Sequence, residues 1–424
     1  MSAKHGEDSG KTALVLAGGG LTGAVYEIGA LRAIDDMLVD RTVNDFDIYV
    51  GTSAGALVGA LLANGLSPDT ILQAIGGSLP GIRPIQRQDL FNVSRKELLR
   101  RSIELPRKLA SAWSHYLRHL DDMNLFDALW SLLDALPSGF YDGLALERYL
   151  RNALLKLGCA NDFGQLERDL FIIAADIDSG QRVVFGKDEH NNTTISMAVA
   201  ASTALPIVYK PVRIGDSEFI DGGIRGNASL DVAVECGATL VICINPLVPY
   251  DNSDRASASF TGHGSRYLSE KGMQVIAAQA SRLTAYAGLQ YHVKQLRRSH
   301  PEVDIIIVEP RRDDYEMFFY NIMRYSTRLT VARHGFESVT LDLAEDYARY
   351  KEILARHDIP LTRRLVIEEL ARIRESDYDA DVIRQVMEAR GRCSRARRDA
   401  PTCRLTRTLA QLEFTLDKMR AEAK

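Results

Sequence analysis

Two strand-to-helix junctions, each turned on glycine, fall within the first 65 residues and restrict what this chain can fold into. The first is LVLAGGGLTGAVYEIGAL, residues 14–31, and the second is DIYVGTSAGALVGALLANG, residues 47–65. Each opens with a short apolar run suited to a buried parallel strand, breaks at glycines, and resumes with apolar residues at helical spacing. Strands alternating with helices in this way argue for a layered α/β fold with a mostly parallel sheet.

The same signals recur along the chain. Strands are expected at Thr12–Ala17 and Asp47–Gly51, with a helix over Gly23–Leu38 and another ending at Asn64-Gly65. A third helix starts at Ser67-Pro68, with proline in its first turn. Strand patterns return at Asp169–Ile177, Gln181–Gly186, Thr239–Asn245 and Asp304–Pro310. Between them lie a helix over Thr193–Ala204 and extended pieces at Ile207–Arg213 and Glu218–Ile220. Asp142-Gly143 reads as the start of a helix over Leu144–Leu155. The organisation that follows is a disordered leader over residues 1–10 and a main domain over 11–310. A helical insert over about 77–142 interrupts that domain, and a helical region with a basic tail covers 311–424.

With 46% apolar residues in 424, the chain can bury a large core, and its net charge of −4 excludes no partner. No window approaches eighteen uninterrupted apolar residues, so no transmembrane helix is expected. The polar start MSAKHGEDSGK lacks the apolar centre of a secretory signal. Five cysteines without metal-like spacing read as reduced thiols of a cytoplasmic protein. No metal and no cofactor are expected.

Gly18, Gly20 and Gly23 satisfy G-x-G-x-x-G, the dinucleotide fingerprint. That reading needs an acid closing the second strand, whereas Asp47 begins it. What ends the strand is Gly51-Thr52-Ser53-Ala54-Gly55. G-x-S-x-G at a strand-to-helix turn is a nucleophile elbow, in which small neighbours allow a sharp turn that presents the serine oxygen. The alternative is that Gly51 and Gly55 only let a helix pack closely on a strand.

A serine hydroxyl needs a base and a set of N–H donors for the developing oxyanion. Gly18-Gly19-Gly20, at the start of a helix, suits the second role. Two bases are open. His263, in TGHG, would complete a Ser–Asp–His triad, but this elbow follows only the second strand, early for an α/β-hydrolase, and an exposed loop histidine is the preferred reading. Asp221, in FIDGG, would act alone at a strand end, with Gly222 and Gly223 allowing close backbone approach; a plain Asp-Gly turn is the competing reading. An aspartate in that role calls for partial desolvation, which raises its pKa toward working pH.

GGG-x-x-G, then GTSAG, then DGG, in this order and spacing, resemble the patatin-like phospholipase family. The similarity extends through AASTALPIVYKPV and IDGGIRGNASLDVAVECGATLVICIN, covering roughly residues 12–250. The resemblance implies a three-layer α/β/α fold with a central, mostly parallel sheet, and a Ser–Asp dyad without a catalytic histidine. It also implies hydrolysis of lipid acyl esters through an acyl-serine. Carried over by position, Ser53 is the nucleophile, Asp221 the base, and Gly18, Gly19 and Gly20 form the oxyanion loop. Gly51 and Gly55 form the elbow, and Gly222 and Gly223 support the base. Two positions depart from the family pattern. Thr22 stands where many members carry Lys or Arg, and Ser229 lies near the place of a usual proline.

Leu109, Trp113, Tyr116, Leu117 and Leu120 recur at helical spacing within a basic stretch, which suits a helix in the interface of an anionic bilayer. The same stripe also suits a helix packed on its own core. Eight arginines against two acids lie between Arg384 and Arg407, read as a solvated helical tail, with membrane contact or self-association next. The expected partner is a membrane phospholipid surface, with peripheral contact, no nucleic acid, and a homo-oligomer left open. The leading expectation is a hydrolase of (lyso)phospholipids. Neutral-lipid or soluble-ester hydrolysis, or lipid binding without turnover, stand behind it.

Overall fold

Strand β1 (Lys11–Leu16) lies at the middle of the sheet, with β2 (Ile48–Thr52) parallel on one side and β9 (Ala238–Ile244) parallel on the other. A computed structural model describes residues 10–93, 138–186, 193–253, 267–314, 317–318 and 325–389, together with Thr408 and Leu412. The leader up to residue 9, His263, the apolar stripe at 109–120, the middle of the insert and most of the basic tail lie outside the described residues.

Among the described residues the sheet has eight strands. Seven run in the order β10 (Asp304–Val308), β9, β1, β2, β4 (Asp169–Asp176), β8 (Ser217–Asp221), β7 (Val212–Ile214), and β5 (Arg182–Phe185) also pairs with β4. The five strands from β10 to β4 are mutually parallel, whereas β5 and β8 each run antiparallel to β4, and β7 runs antiparallel to β8. A separate parallel pair joins β3 (Gly139–Tyr141) to β6 (Ile207–Tyr209).

Strand alternation sends side chains to two cores. Leu14 and Leu16 of β1 face one, and Ala13 and Val15 face the other. The first core is covered by α1 (Gly20–Met37), α2 (Ala54–Ala63), α3 (Pro68–Gly76) and helices further along the chain. The second is covered by α7 (Leu230–Glu235) and α8 (Met273–Ser299). The result is three layers, as the sequence implies. The short α4 (Arg87–Leu90) belongs to the insert. Helix α5 (Leu144–Leu157) begins as expected, with the Leu144 N–H donating to Asp142 Oδ1 at 3.0 Å, and α6 (Ile195–Ser202) follows β5.

Helix α1 starts three residues earlier than expected, because Gly20 itself forms its first turn. The long α8 lies between β9 and β10 in the chain.

The C-terminal helices are α9 (Tyr325–Glu345), α10 (Tyr347–Arg356), α11 (Arg364–Glu375) and α12 (Ala380–Glu388). They do not hang from the domain but share its first core: Phe336, Val366 and Val386 are buried with Tyr26 and Leu31 of α1. The contact is close because glycines make it so. A Cβ on Gly29 would collide with the Ala332 carbonyl, and one on Gly335 with the Tyr26 carbonyl. Buried Arg32 of α1 adds an ion pair to Asp36, lies 3.7 Å from Glu369 of α11, and donates to the Val386 carbonyl of α12 at 3.5 Å.

Candidate active site

Sheet register alone brings the two ends of the site together. Thr52 of β2 pairs with Ile173 of β4, and the next residue of β4, Ala174, pairs with Asp221 of β8. Ser53 and Asp221 therefore arrive at one level on either side of β4, at the carboxyl ends of the parallel strands. That is where α/β sheets gather functional groups, here beside β1, from which the chain order runs outward both ways.

Ser53 sits between β2 and α2 with φ 53° and ψ −117°, a left-handed-side conformation that L side chains adopt only when the surroundings enforce it. The elbow glycines provide that enforcement. A Cβ on Gly51 would lie 2.5 Å from the Gly55 carbonyl oxygen, and one on Gly55 would collide with the Leu16 carbonyl. The Ser53 N–H donates to Ser202 Oγ at 2.8 Å, and that hydroxyl donates onward to the Ile173 carbonyl at 2.5 Å. The turn is thus fixed from below by α6.

The Ser53 hydroxyl donates to Asp221 Oδ2 at 2.6 Å. Both residues are buried, 7% and 5% exposed. Asp221 Oδ1 accepts the Gly223 N–H at 2.8 Å, and its own N–H donates to the Ala204 carbonyl at 3.0 Å. Gly222 is required because a Cβ there would collide with the Ile173 carbonyl. Burial pushes the Asp221 carboxyl up to about 6, against the lowering effect of the hydrogen bonds from Ser53 and Gly223. That is the direction a general base needs.

The glycine loop divides its work. The Gly18 N–H is already taken, donating to the Asn227 carbonyl at 3.1 Å, so Gly18 has no free donor for an oxyanion. A Cβ on Gly18 would lie 3.4 Å from Ser53 Cβ, which puts this loop directly against Ser53. Gly19 caps α1 and Gly20, at φ +61°, opens it. Their N–H groups stand at the helix N-terminus, where no intrahelical acceptor exists and the partial positive charge collects. A Cβ on Gly19 would lie 2.6 Å from Pro246 Cγ.

Asn227, Ser202 and Asn245 escape the sequence reading, although all three lie inside the stretches that carry the family resemblance. All three are buried polar residues next to the loops they hold. A buried Asn or Ser is visible only once its hydrogen-bond partners are known.

Each of the four described histidines pairs with a carboxylate other than Asp221: His292 with Asp231, His300 with Glu302, His334 with Asp314 and His357 with Asp304. Among the described residues no group of three His, Cys, Asp or Glu side chains is arranged to hold a metal ion. No described helix is long and apolar enough to cross a membrane.

A family model described as "Patatin-like phospholipase" matches residues 14–234, just over half of the 424. Mycobacterium tuberculosis "Uncharacterized NTE family protein MT2641" is 23% identical over 234 residues, covering 55% of this chain and 30% of that protein. "Probable lipid hydrolase 463L" of Invertebrate iridescent virus 6 is 21% identical over 222 residues, covering 52% of this chain and 63% of its own. The chain thus spans less than two thirds of either relative. Among solved structures, VipD from Legionella pneumophila covers 79% of this chain and 67% of its own, at 14% identity and a TM-score of 0.34.

Proposed function

Because the chain belongs to the patatin-like phospholipase family, we propose that it is a serine acyl hydrolase, with Ser53 as nucleophile and Asp221 as its only base. The observation that carries this reading is the 2.6 Å hydrogen bond from the Ser53 hydroxyl to a buried carboxylate, beside the glycine-lined start of α1.

In the first half-reaction Ser53 Oγ attacks the acyl carbonyl carbon as its proton passes to Asp221 Oδ2. The carbonyl oxygen becomes an oxyanion held by the Gly19 and Gly20 N–H groups and the N-terminal charge of α1. Collapse breaks the ester bond, Asp221 returns the proton to the leaving alcohol, and an acyl-Ser53 remains. In the second half a water attacks that ester. Its proton goes to Asp221 and then to Ser53 Oγ as the fatty acid leaves. With its pKa near 6, Asp221 is ionised at neutral pH yet basic enough to share the proton in the transition state.

The substrate proposed is a phospholipid or lysophospholipid presented at a membrane surface. Leu205, Ile207 and Ile224 support that reading, being 45%, 75% and 58% exposed. Leu205 adjoins Ala204, which holds the Asp221 N–H, and Ile224 follows Gly223. An exposed apolar rim beside a buried dyad fits an acyl chain leaving a bilayer. Thr22, where many family members carry a cation, favours a second reading in which neutral glycerolipids or soluble esters are cleaved by the same dyad. Incubation with a p-nitrophenyl acyl ester tests the chemistry. The reading expects p-nitrophenol release that Ser53→Ala loses and, on acid quenching during turnover, an acyl group on the Ser53 peptide; release by Ser53→Ala at the wild-type rate rejects it.

A further inference from the structure

Behind the glycine loop runs a line of buried amides that the reaction as written does not use. Gly18 donates to the main-chain carbonyl of Asn227 at 3.1 Å. Asn227 Nδ2 donates to Asn245 Oδ1 at 2.8 Å, and Asn245 Nδ2 donates to Glu309 Oε1 at 2.9 Å. Asn245, just past β9, is fully buried, and its main-chain N–H donates to the Val308 carbonyl of β10 at 2.8 Å. Its Oδ1 also accepts the Leu247 N–H at 3.2 Å. That bond fixes the turn holding Pro246, the residue packed on Gly19 and Gly23.

We propose that Glu309 is a positioning residue for the oxyanion loop, acting through Asn245 and Asn227 on Gly18 to Gly20. The argument is one of direction. An ionised carboxylate only accepts hydrogen bonds, so Asn245 must turn its Nδ2 toward Glu309. Its Oδ1 then faces Asn227, which in turn presents Nδ2 to Asn245. That leaves Asn227 Oδ1 facing the two glycine loops, 2.7 Å from where a Gly18 Cβ would stand and 3.8 Å from that of Gly223. Both amides thus have one orientation, set by the carboxylate on one side of Asn245 and by the Leu247 N–H on the other. Without that acceptor, Asn245 Nδ2 is a buried donor with no partner. An amide flip gives no relief, because it brings Nδ2 against two other donors, Asn227 Nδ2 and the Leu247 N–H; Asn245 therefore leaves its place, the Pro246 turn loosens, and the loop drifts from Ser53. The relay rests on the reading of Gly19 and Gly20 as oxyanion donors.

The test is the rate at which Ser53 is phosphonylated by an alkyl fluorophosphonate. In that reaction Ser53 Oγ bonds to phosphorus as fluoride leaves and its proton passes to Asp221, and the phosphoryl oxygen, which gains negative charge in the transition state, occupies the oxyanion position. Glu309→Leu removes the acceptor while retaining bulk beside a cavity of about 260 Å³ that Glu309 lines. Glu309→Gln retains a carbonyl acceptor at the same reach. The proposal expects Glu309→Leu to slow the maximal labelling rate roughly ten- to hundredfold, with the half-saturating probe concentration unchanged. It expects Glu309→Gln to restore most of that rate. Labelling of Glu309→Leu at the wild-type rate overturns the relay, as does equal slowing of both variants with an equal loss of thermal stability. Failure of the wild type to label at Ser53 rejects the dyad reading itself, and the relay with it.

Discussion

Ser53 and Asp221 stand 168 residues apart in sequence and 2.6 Å apart in space, one on each side of β4. Their meeting follows from strand register, and no third side chain joins them among the described residues. Asp221 Oδ1 is filled by the Gly223 N–H and Oδ2 by the Ser53 hydroxyl, so the carboxylate is held on the serine by its own turn. The histidine that orients serine in a triad has no counterpart among the described residues, where the four histidines pair with other carboxylates. A pair of this kind depends on burial to make a carboxylate basic, and burial carries a cost to stability.

That cost is measurable. The Asp221 carboxyl titrates near 6 folded and near 4 unfolded, so the native state binds its proton more tightly. The resulting penalty is absent at low pH, grows as pH rises between those values, and reaches on the order of 3 kcal/mol above them. Asp221→Asn removes the charge, and its amide can still accept from Gly223 and donate to Ser53. This variant should lose turnover and be more stable than wild type at pH 8, with the gap closing toward pH 4, as read by urea unfolding. A variant less stable at pH 8 contradicts the burial account.

In the proposed dyad the same group would set the pH dependence of activity. With Asp221 as the sole base, log kcat/KM should fall with unit slope below about 6 and stay level above it. His263→Ala should leave this profile intact. A midpoint that moves in that variant would restore the triad reading.

Elbow geometry predicts a loss of both stability and rate for Gly55→Ala. The added Cβ meets the Leu16 carbonyl, so α2 must shift away from β1, and Ser53 caps α2. The expected destabilisation is about 1–3 kcal/mol, with kcat falling more than KM rises. Gly20→Ala makes the contrasting case, since its Cβ has open space but its φ of +61° is strained. It should cost about 1 kcal/mol and act mainly on kcat. Equal, negligible effects of both changes would show that the loops are looser than the register argument requires.

Packing of α9 on α1 predicts that the C-terminal helices unfold together with the catalytic layers. Gly335→Val forces a side chain against the Tyr26 carbonyl and should lower stability by about 2 kcal/mol or more. Unfolding should remain a single transition followed alike by circular dichroism and by activity. A separate early transition that leaves activity intact would make these helices an independent appendage.

The sequence makes the site legible where local rules operate. Gly51 and Gly55 around Ser53, and Gly222 after Asp221, are glycines because the chain turns sharply or another backbone comes close, and short-range spacing displays both. The five mutually parallel strands also read correctly, because buried parallel strands are short unbroken apolar runs, whereas the three-residue β3 lies inside the stretch read as a helical insert and β6 and β7 read as one extended piece. Long-range relations are not written this way. Gly29 and Gly335 look like ordinary helical glycines until α1 and α9 are laid together, which is why the C-terminal region reads as an extension although it shares the core. Asn227, Asn245 and Glu309 join three separate segments, and no periodicity marks a hydrogen bond between side chains 64 residues apart. Gly18 reads as a donor, and only the structure reveals that its N–H is taken by Asn227.

The most direct test of the account is fatty-acid release from mixed phosphatidylcholine and phosphatidylglycerol vesicles by the wild type and by Ser53→Ala. Release by the wild type, reduced by three orders of magnitude or so in the variant, is the predicted result. Equal release by the two proteins, or none by either, contradicts it.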